Sequence, residues 1–331
     1  MEPINVIVND QLTEEVVPRI EAVDSRLNVT HIGAILDREL EGNEEARRLL
    51  DQLLSSADVY AGMRIPPGLL ERAPNLKWVQ VTQAGVDKVL LDERFRNSGI
   101  MLTNVAGVHS FAIAEFAIQS CLAFTKGTAE CDRQKREREW QPFHPAVLRG
   151  KTMGIIGYGN IGKRIARIAK AFEMWVIAAR KTTPRPTRSR WADVVLPIEH
   201  LERLLADSDF VIATVPLTSE TYHLLGKTQF EAMKPHALLV NVARGPVVDE
   251  DALAQALRTG DIAAAALDVF EVEPLPQDSP LWDLPNLIYS PHIAGYISTY
   301  AEMVQDLFVK NLERYVRREK PSGIVNKRRG Y

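Results

Sequence analysis

Residues 153–162, MGIIGYGNIG, constrain the fold of this chain more than any other segment. An apolar run leads directly into a Gly-x-Gly-x-x-Gly turn, and residues 163–172 then carry apolar side chains at helical spacing. This order predicts a strand, a tight turn and a helix. Gly157 lets the chain leave the strand, Gly159 admits a pyrophosphate, and Gly162 lets the helix pack closely on the strand. We therefore predict a dinucleotide-binding turn.

Short apolar runs alternate with helical segments on both sides of this turn. Strands are predicted near residues 4–9, 28–33, 58–63 and 76–85, and again at 175–179, 193–196, 210–215, 237–242, 263–269 and 287–290. Helices are predicted at 44–54, 110–125, 249–259 and 301–317. The alternation favours an α/β fold with two Rossmann-like domains of doubly wound parallel sheets. In such sheets the ligand site lies at the carboxyl ends of the strands.

Composition excludes several other classes of protein. The 331 residues are 46% hydrophobic and 25% charged, which is typical of a globular protein of two domains. A net charge of −3 gives no general attraction to nucleic acid or to a membrane. Two cysteines imply no disulfide framework, and no leader or spanning segment is recognised, so we expect a cytoplasmic protein. The histidines have no metal-ligand spacing, so no metal site is predicted.

The end of the predicted second strand of the dinucleotide-binding half indicates which nucleotide binds. A ribose 2′-hydroxyl is usually held there by a carboxylate, but this chain has Arg180 and Lys181 instead. Further cations follow at Arg185, Arg188 and Arg190. Charge-assisted hydrogen bonds from this rim would suit a 2′-phosphate, so we predict that NADP(H) is preferred over NAD(H). The alternative is a surface loop that is basic for solvation alone.

Three later segments carry a resemblance to a known family. They are residues 240–249 (VNVARGPVVD), 267–274 (LDVFEVEP) and 290–295 (SPHIAG). Together with the glycine turn they resemble the D-isomer-specific 2-hydroxyacid dehydrogenases over nearly the whole chain, and the glyoxylate and hydroxypyruvate reductases most of all. The resemblance implies that Arg244, Glu273 and His292 form the active site.

The chemistry of these three side chains supports that assignment. Hydride reduction of a 2-oxo acid needs a cation for the substrate carboxylate and a proton donor for the carbonyl oxygen. Arg244 can bind the carboxylate bidentately, and His292 can supply the proton, while Glu273 favours its imidazolium form. Each residue alone also has a structural interpretation, as a turn arginine, a capping carboxylate or a core histidine. Their common order after the glycine turn favours an active site.

The resemblance also implies further contacts. Expected cofactor contacts are Asn160, Ile161, Pro216, Thr221, Val242, Ala243, Gly295 and, at the nicotinamide end, Asp268. The backbone N–H groups of Ala84 and Gly85 are expected to meet the substrate carboxylate, although this glycine also suits a simple turn. Arg64 offers a second cation for a larger or phosphorylated substrate, and a surface role suits it equally.

The resemblance finally implies the organisation of the chain. Residues 1–103 and 297–331 would form a discontinuous substrate-binding domain, and residues 104–296 a dinucleotide-binding Rossmann domain. The apolar helix after residue 104 would serve as a hinge and as the arm of a homodimer. The expected activity is NAD(P)H-dependent reduction of a small 2-oxo acid to the D-2-hydroxy acid, with glyoxylate or hydroxypyruvate favoured. A D-3-phosphoglycerate dehydrogenase-like enzyme and a non-catalytic NAD(H)-sensing protein of corepressor type are the alternatives.

Overall fold

The computed structural model describes residues 2–331, which divide into two compact units. Unit 1 runs to Val108 and resumes as Ile297–Tyr331, and unit 2 is His109–Tyr296. The first division therefore falls later than the expected residue 103. The cause is visible at Asn104, whose backbone N–H donates to the carbonyl of Gly323 at 3.0 Å and keeps this segment with unit 1.

Each unit is built on one sheet flanked by helices. The strands of unit 1 are β1 (Ile4–Val8), β2 (Leu27–His31), β3 (Val59–Gly62), β4 (Trp78–Val81) and β5 (Met101–Thr103). Those of unit 2 are β6 (Thr152–Ile156), β7 (Trp175–Arg180), β8 (Val194–Pro197), β9 (Phe210–Ala213), β10 (Leu238–Asn241), β11 (Ala264–Leu267) and β12 (Leu287–Tyr289). The α-helices in chain order are α1 (Val17–Glu21), α2 (Gly33–Leu40), α3 (Glu44–Ser55), α4 (Leu69–Arg72), α5 (Glu93–Asn97), α6 (Ser110–Lys126), α7 (Thr128–Glu137), α8 (Asn160–Ala171), α9 (Leu201–Asp207), α10 (Lys227–Glu231), α11 (Glu250–Thr259) and α12 (Tyr300–Val316).

Both sheets are parallel and doubly wound, which confirms the predicted fold class. Unit 1 has the strand order β2-β1-β3-β4-β5, and unit 2 has β12-β11-β10-β9-β6-β7-β8. In unit 2 the order reverses between β6 and β9, and ligands of such sheets bind at the carboxyl ends of the strands beside that switch point. The glycine turn leaves β6 at this place. Within residues 2–331 no helix is long and apolar enough to cross a membrane.

Burial on both faces explains why the unit 2 strands read as continuous apolar runs. Every residue of β9, β10 and β11 is buried. The apolar helix α6 is buried along much of its length, including Ala114, Ala117 and Cys121, and belongs to the same core cluster as Ile165 of α8. The predicted buried helix is therefore part of the unit 2 core.

A buried polar network joins the last helix to the sheet of unit 1. Asn311 of α12 donates to Oε1 of Gln80 at 2.9 Å, and its own Oδ1 accepts from the backbone N–H of Ser322 at 2.8 Å. The same Gln80 oxygen accepts from the hydroxyl of Thr103 at 2.9 Å, which in turn accepts from the Trp78 indole at 2.8 Å. Asn311 therefore fastens a segment late in the chain to strands formed near its start.

Replacing Asn311 by alanine should destabilise unit 1. The substitution leaves the buried Gln80 side chain without this donor and the Ser322 N–H without its acceptor, which costs about 1–3 kcal/mol of the free energy of unfolding. Urea denaturation monitored by tryptophan fluorescence would measure the loss. Lys310→Ala, at the exposed neighbouring position, is the control and should change stability little. Equal midpoints for the two variants would contradict the role of the network.

Candidate active site

The glycine turn between β6 and α8 has the geometry of an anion cradle. Gly157 has a φ of +99°, and a Cβ there would lie 2.9 Å from the carbonyl group of Thr214. A Cβ on Gly162 would strike the carbonyl oxygen of Gly157. A Cβ on Gly159, in contrast, would meet no atom within 4 Å. Protein packing therefore accounts for the first and third glycines, whereas the open space at the second is available to a ligand.

The helix that follows supplies the charge preference of this cradle. Because α8 begins at Asn160, the backbone N–H groups of its first turn have no intrahelical acceptors, and the helix dipole is positive at this end. Asn160 and Ile161 lie in that turn, which contains no acidic side chain. The pyrophosphate of a dinucleotide fits this arrangement of donors.

The two expected cations, Arg180 and Lys181, lie at the end of β7, and an unexpected carboxylate lies beside them. Arg180 and Lys181 are exposed, and the Lys181 ammonium forms an ion pair with Glu220. Glu220 belongs to the loop after β9, where the Thr221 hydroxyl donates to the Pro216 carbonyl at 2.7 Å. The Thr221 side chain thus stabilises the loop that carries two expected cofactor contacts, Pro216 and Thr221. Nothing in the sequence pattern indicated that Glu220 would reach Lys181.

Arg244 follows β10 in a tightly held turn. Asn241, fully buried, accepts from the Ala243 N–H at 3.0 Å and donates to the Arg244 carbonyl at 3.0 Å. A Cβ on Gly245 would collide with the backbone of Phe270. Glycine is therefore required for the close approach between the turn that carries Arg244 and the loop after β11. Val242 and Ala243 are buried, which gives them a structural role beside the expected cofactor contact.

Glu273 and His292 form a hydrogen-bonded pair. Oε2 of Glu273 lies 2.8 Å from Nδ1 of His292, and its Oε1 accepts from the backbone N–H of Phe270 at 3.0 Å. The His292 side chain is 47% exposed. The carboxylate thus binds Nδ1, and Nε2 remains available for a hydrogen bond with a substrate. The structure brings these two predicted residues into direct contact.

Asp268 fixes the turn on which His292 stands. It is buried at the end of β11, and its Oδ1 accepts from the Ser290 hydroxyl at 2.8 Å and from the N–H groups of Ile293 and Ala294 at 2.9 Å each. Burial raises the pKa of this carboxyl, while these hydrogen bonds oppose the rise. Asp268 is therefore a structural organiser of the turn, and its contact with the nicotinamide end of a cofactor stays a prediction.

His109 is a site residue that the sequence analysis did not identify. Gly295 packs against its ring, since a Cβ on this glycine would lie 3.1 Å from Cδ2 of His109. Burial lowers the pKa of His109, and the positive charges of Arg244 and His292 lower it further. Arg244, Glu273, His292 and His109 thus form one cluster in unit 2. The only sequence signal for His109 was its place directly before a predicted helix.

The expected substrate contacts from unit 1 lie beyond β4. The Ala84 carbonyl accepts from the side chain of Asn104 at 2.7 Å. Because a trans peptide points its N–H away from its C=O, this bond also directs the Gly85 N–H to the opposite side. Asn104 is a second residue that sequence reasoning missed.

Arg64 is already paired in this structure. Its Nε donates to Asp10 at 2.6 Å, and its Nη1 forms an ion pair with Asp37. A substrate phosphate would have to compete with both carboxylates. The contact of Arg64 with substrate stays a prediction, and the surface interpretation of this residue is the one that its neighbours favour. Among the described residues no cluster of His, Cys, Asp or Glu is suited to a metal ion.

Comparison with known proteins identifies similar chains. The family model "D-isomer specific 2-hydroxyacid dehydrogenase, NAD binding domain" matches residues 118–294. A glyoxylate reductase of Thermococcus gammatolerans is 39% identical over 301 residues, which cover 87% of this chain and 88% of the relative.

Solved structures are also similar to this chain over nearly its whole length. A D-isomer specific 2-hydroxyacid dehydrogenase family protein from Aeromonas salmonicida is 32% identical with a TM-score of 0.82, and the match covers 98% of this chain and 100% of that one. An NADPH-dependent glyoxylate/hydroxypyruvate reductase from Sinorhizobium meliloti, solved with NADP and sulfate, is 25% identical with a TM-score of 0.82 and covers 99% and 100% of the two chains.

Two alanine substitutions in the glycine turn should separate binding from packing. Gly159→Ala introduces no clash, so the unfolding free energy should be unchanged, but the methyl group occupies the phosphate position and should raise the dinucleotide Kd about tenfold or more. Gly162→Ala forces α8 away from Gly157 and should cost about 1–3 kcal/mol of stability. Denaturant unfolding and fluorescence titration with NADPH would measure both. Unchanged affinity in Gly159→Ala would exclude the cradle as the phosphate site.

Proposed function

Because this chain belongs to the D-isomer-specific 2-hydroxyacid dehydrogenase family, we propose that it is an NADPH-preferring reductase that converts glyoxylate or hydroxypyruvate to the D-2-hydroxy acid. The family assignment confirms the resemblance inferred from the sequence, and the chain is accordingly an NAD(P)-dependent oxidoreductase. The observation that carries the proposal is the 2.8 Å contact between His292 and Glu273, in the same cluster as Arg244.

Arg244, His292 and Glu273 each have a defined task in this reaction. The nicotinamide cofactor, when bound, supplies the hydride. Arg244 binds the substrate carboxylate, because a guanidinium remains charged at every working pH and matches the carboxylate geometry. His292 donates a proton from Nε2 to the carbonyl oxygen as this oxygen gains negative charge. Glu273 holds Nδ1 and favours the imidazolium that has the proton to give.

The arrangement of the cations indicates the size of the substrate. A phosphorylated substrate would need a further cation, and Arg64 is the one that the sequence offered for it. Since Arg64 is paired with Asp10 and Asp37, its position does not support a phosphoglycerate substrate. Short 2-oxo acids need no such group, and the names of the glyoxylate reductase relatives agree with this choice.

The cofactor preference rests on the rim of the cradle. Arg180 and Lys181 stand where a carboxylate would bind the ribose of NADH, and both are exposed. The relative from Sinorhizobium meliloti, which is NADPH-dependent and was solved with NADP, supports the same preference. A homodimer with α6 as its arm and a cytoplasmic location complete the proposal.

The role of His292 is tested by replacement with glutamine. The variant cannot donate a proton as imidazolium, so kcat for glyoxylate reduction should fall about 10²- to 10⁴-fold, while the NADPH Kd stays within about twofold because cofactor binding does not use this side chain. Absorbance at 340 nm and fluorescence titration give the two values. His200→Gln, on the exposed surface of unit 2, is the matched control. A wild-type protein that binds NADPH without turning over any 2-oxo acid would instead favour the sensor alternative.

The cofactor preference is tested by replacing Arg180 and Lys181 together with alanine. A charge-assisted hydrogen bond to a phosphate contributes about 1.5–3 kcal/mol, so kcat/KM for NADPH should fall about tenfold to a hundredfold or more, with little change for NADH. Lys227→Ala, a highly exposed lysine of the same unit, controls for the lost positive charge. The preference is disproved if the wild-type protein has the higher kcat/KM with NADH.

A further inference from the structure

A second group of ionisable side chains lies directly behind the loop that carries Glu273. Glu250, at the start of α11, accepts from the backbone N–H of Glu271 at 2.6 Å. The Glu271 carboxylate lies 2.7 Å from Nε2 of His223. The other ring nitrogen of His223 lies 3.9 Å from Asp249. Neither the sequence analysis nor the proposed mechanism gives these residues a role.

The Glu250 hydrogen bond acts on the part of the loop that positions Glu273. The Phe270 N–H donates to Oε1 of Glu273, and the next N–H along the chain, that of Glu271, donates to Glu250. The backbone of Phe270 and Glu271 also packs closely against Gly245. The loop is thus held between the turn that carries Arg244 and the Glu250 carboxylate. A change at Glu250 therefore reaches Glu273 through Glu271 and Phe270.

Charge links Glu250 to the same place. Burial raises the pKa of Glu250, the neighbouring carboxylates of Glu271, Asp251 and Glu273 raise it further, and the Glu271 N–H opposes the rise. Glu250 is thus close enough to Glu273 for their negative charges to interact. On the other side of Glu273 stands His292, in the same cluster as Asp268, His109 and Arg244.

We infer that Glu250 is a positioning residue for the proton donor: by its hydrogen bond with the Glu271 N–H it holds the loop that brings Glu273 into contact with His292. The inference rests on the proposed function only in naming His292 as the donor. The hydrogen bond can be tested selectively, because glutamine keeps an oxygen acceptor for the Glu271 N–H, whereas alanine has none.

The test follows the environment of His292 directly by NMR of protein labelled at histidine Cε1, with the His292 signal assigned by its absence in His292→Gln. In Glu250→Ala the loop is displaced, so the His292 signal should move and kcat for glyoxylate reduction should fall about tenfold. In Glu250→Gln the acceptor is kept, so the signal and kcat should both stay close to those of the wild type.

Glu202→Ala, an exposed position on α9, is the control for the loss of a carboxylate. Thermal unfolding and the NADPH Kd show that each variant is folded. A His292 signal that is unchanged in Glu250→Ala, or that moves equally in Glu250→Gln or in Glu202→Ala, would overturn the inference. The signal is read without turnover. If the wild type reduces no 2-oxo acid, the proposed function fails, while the NMR result still decides whether Glu250 acts on His292.

Discussion

One buried carboxylate oxygen determines where the proton donor stands. His292 has a φ of +57°, a backbone conformation that residues other than glycine adopt only when their surroundings hold them there. Oδ1 of Asp268 supplies that constraint with three hydrogen bonds, to Ser290, Ile293 and Ala294 on both sides of the histidine. Because Asp268 directly follows the fully buried strand β11, its hydrogen bonds fix the position of the imidazole relative to the sheet.

The positions of Arg244 and Glu273 depend on close contact between the segments that follow neighbouring strands. Gly245 lets the turn after β10 touch the loop after β11, so Arg244 and Glu273 are carried on two backbones that pack without a side chain between them. Neighbouring parallel strands bring their carboxyl ends to one edge, and β10, β11 and β12 are consecutive in the sheet. Sheet order thus brings together residues that are widely separated in the sequence.

Sequence reasoning predicted the features that depend on local pattern. The strand, turn and helix around Gly157 and the doubly wound sheets had a direct signal in residue type and spacing, whereas Glu273 and His292 were identified through the family resemblance. It did not find Asn104, His109 or Glu220, because their contacts join distant segments and their residue types are equally common on surfaces. It left the role of Arg64 open, because the sequence does not reveal that Asp10 and Asp37 lie beside this residue.

In the proposed reaction a hydride passes from the nicotinamide ring to C2 of a short 2-oxo acid, and His292 protonates the oxygen. The most direct measurement combines the wild-type protein with hydroxypyruvate and NADPH carrying deuterium at the transferable C4 position, followed by NMR and chiral analysis of the product. The expected product is D-glycerate with one deuterium at C2. A product without deuterium at C2, or L-glycerate, would contradict it.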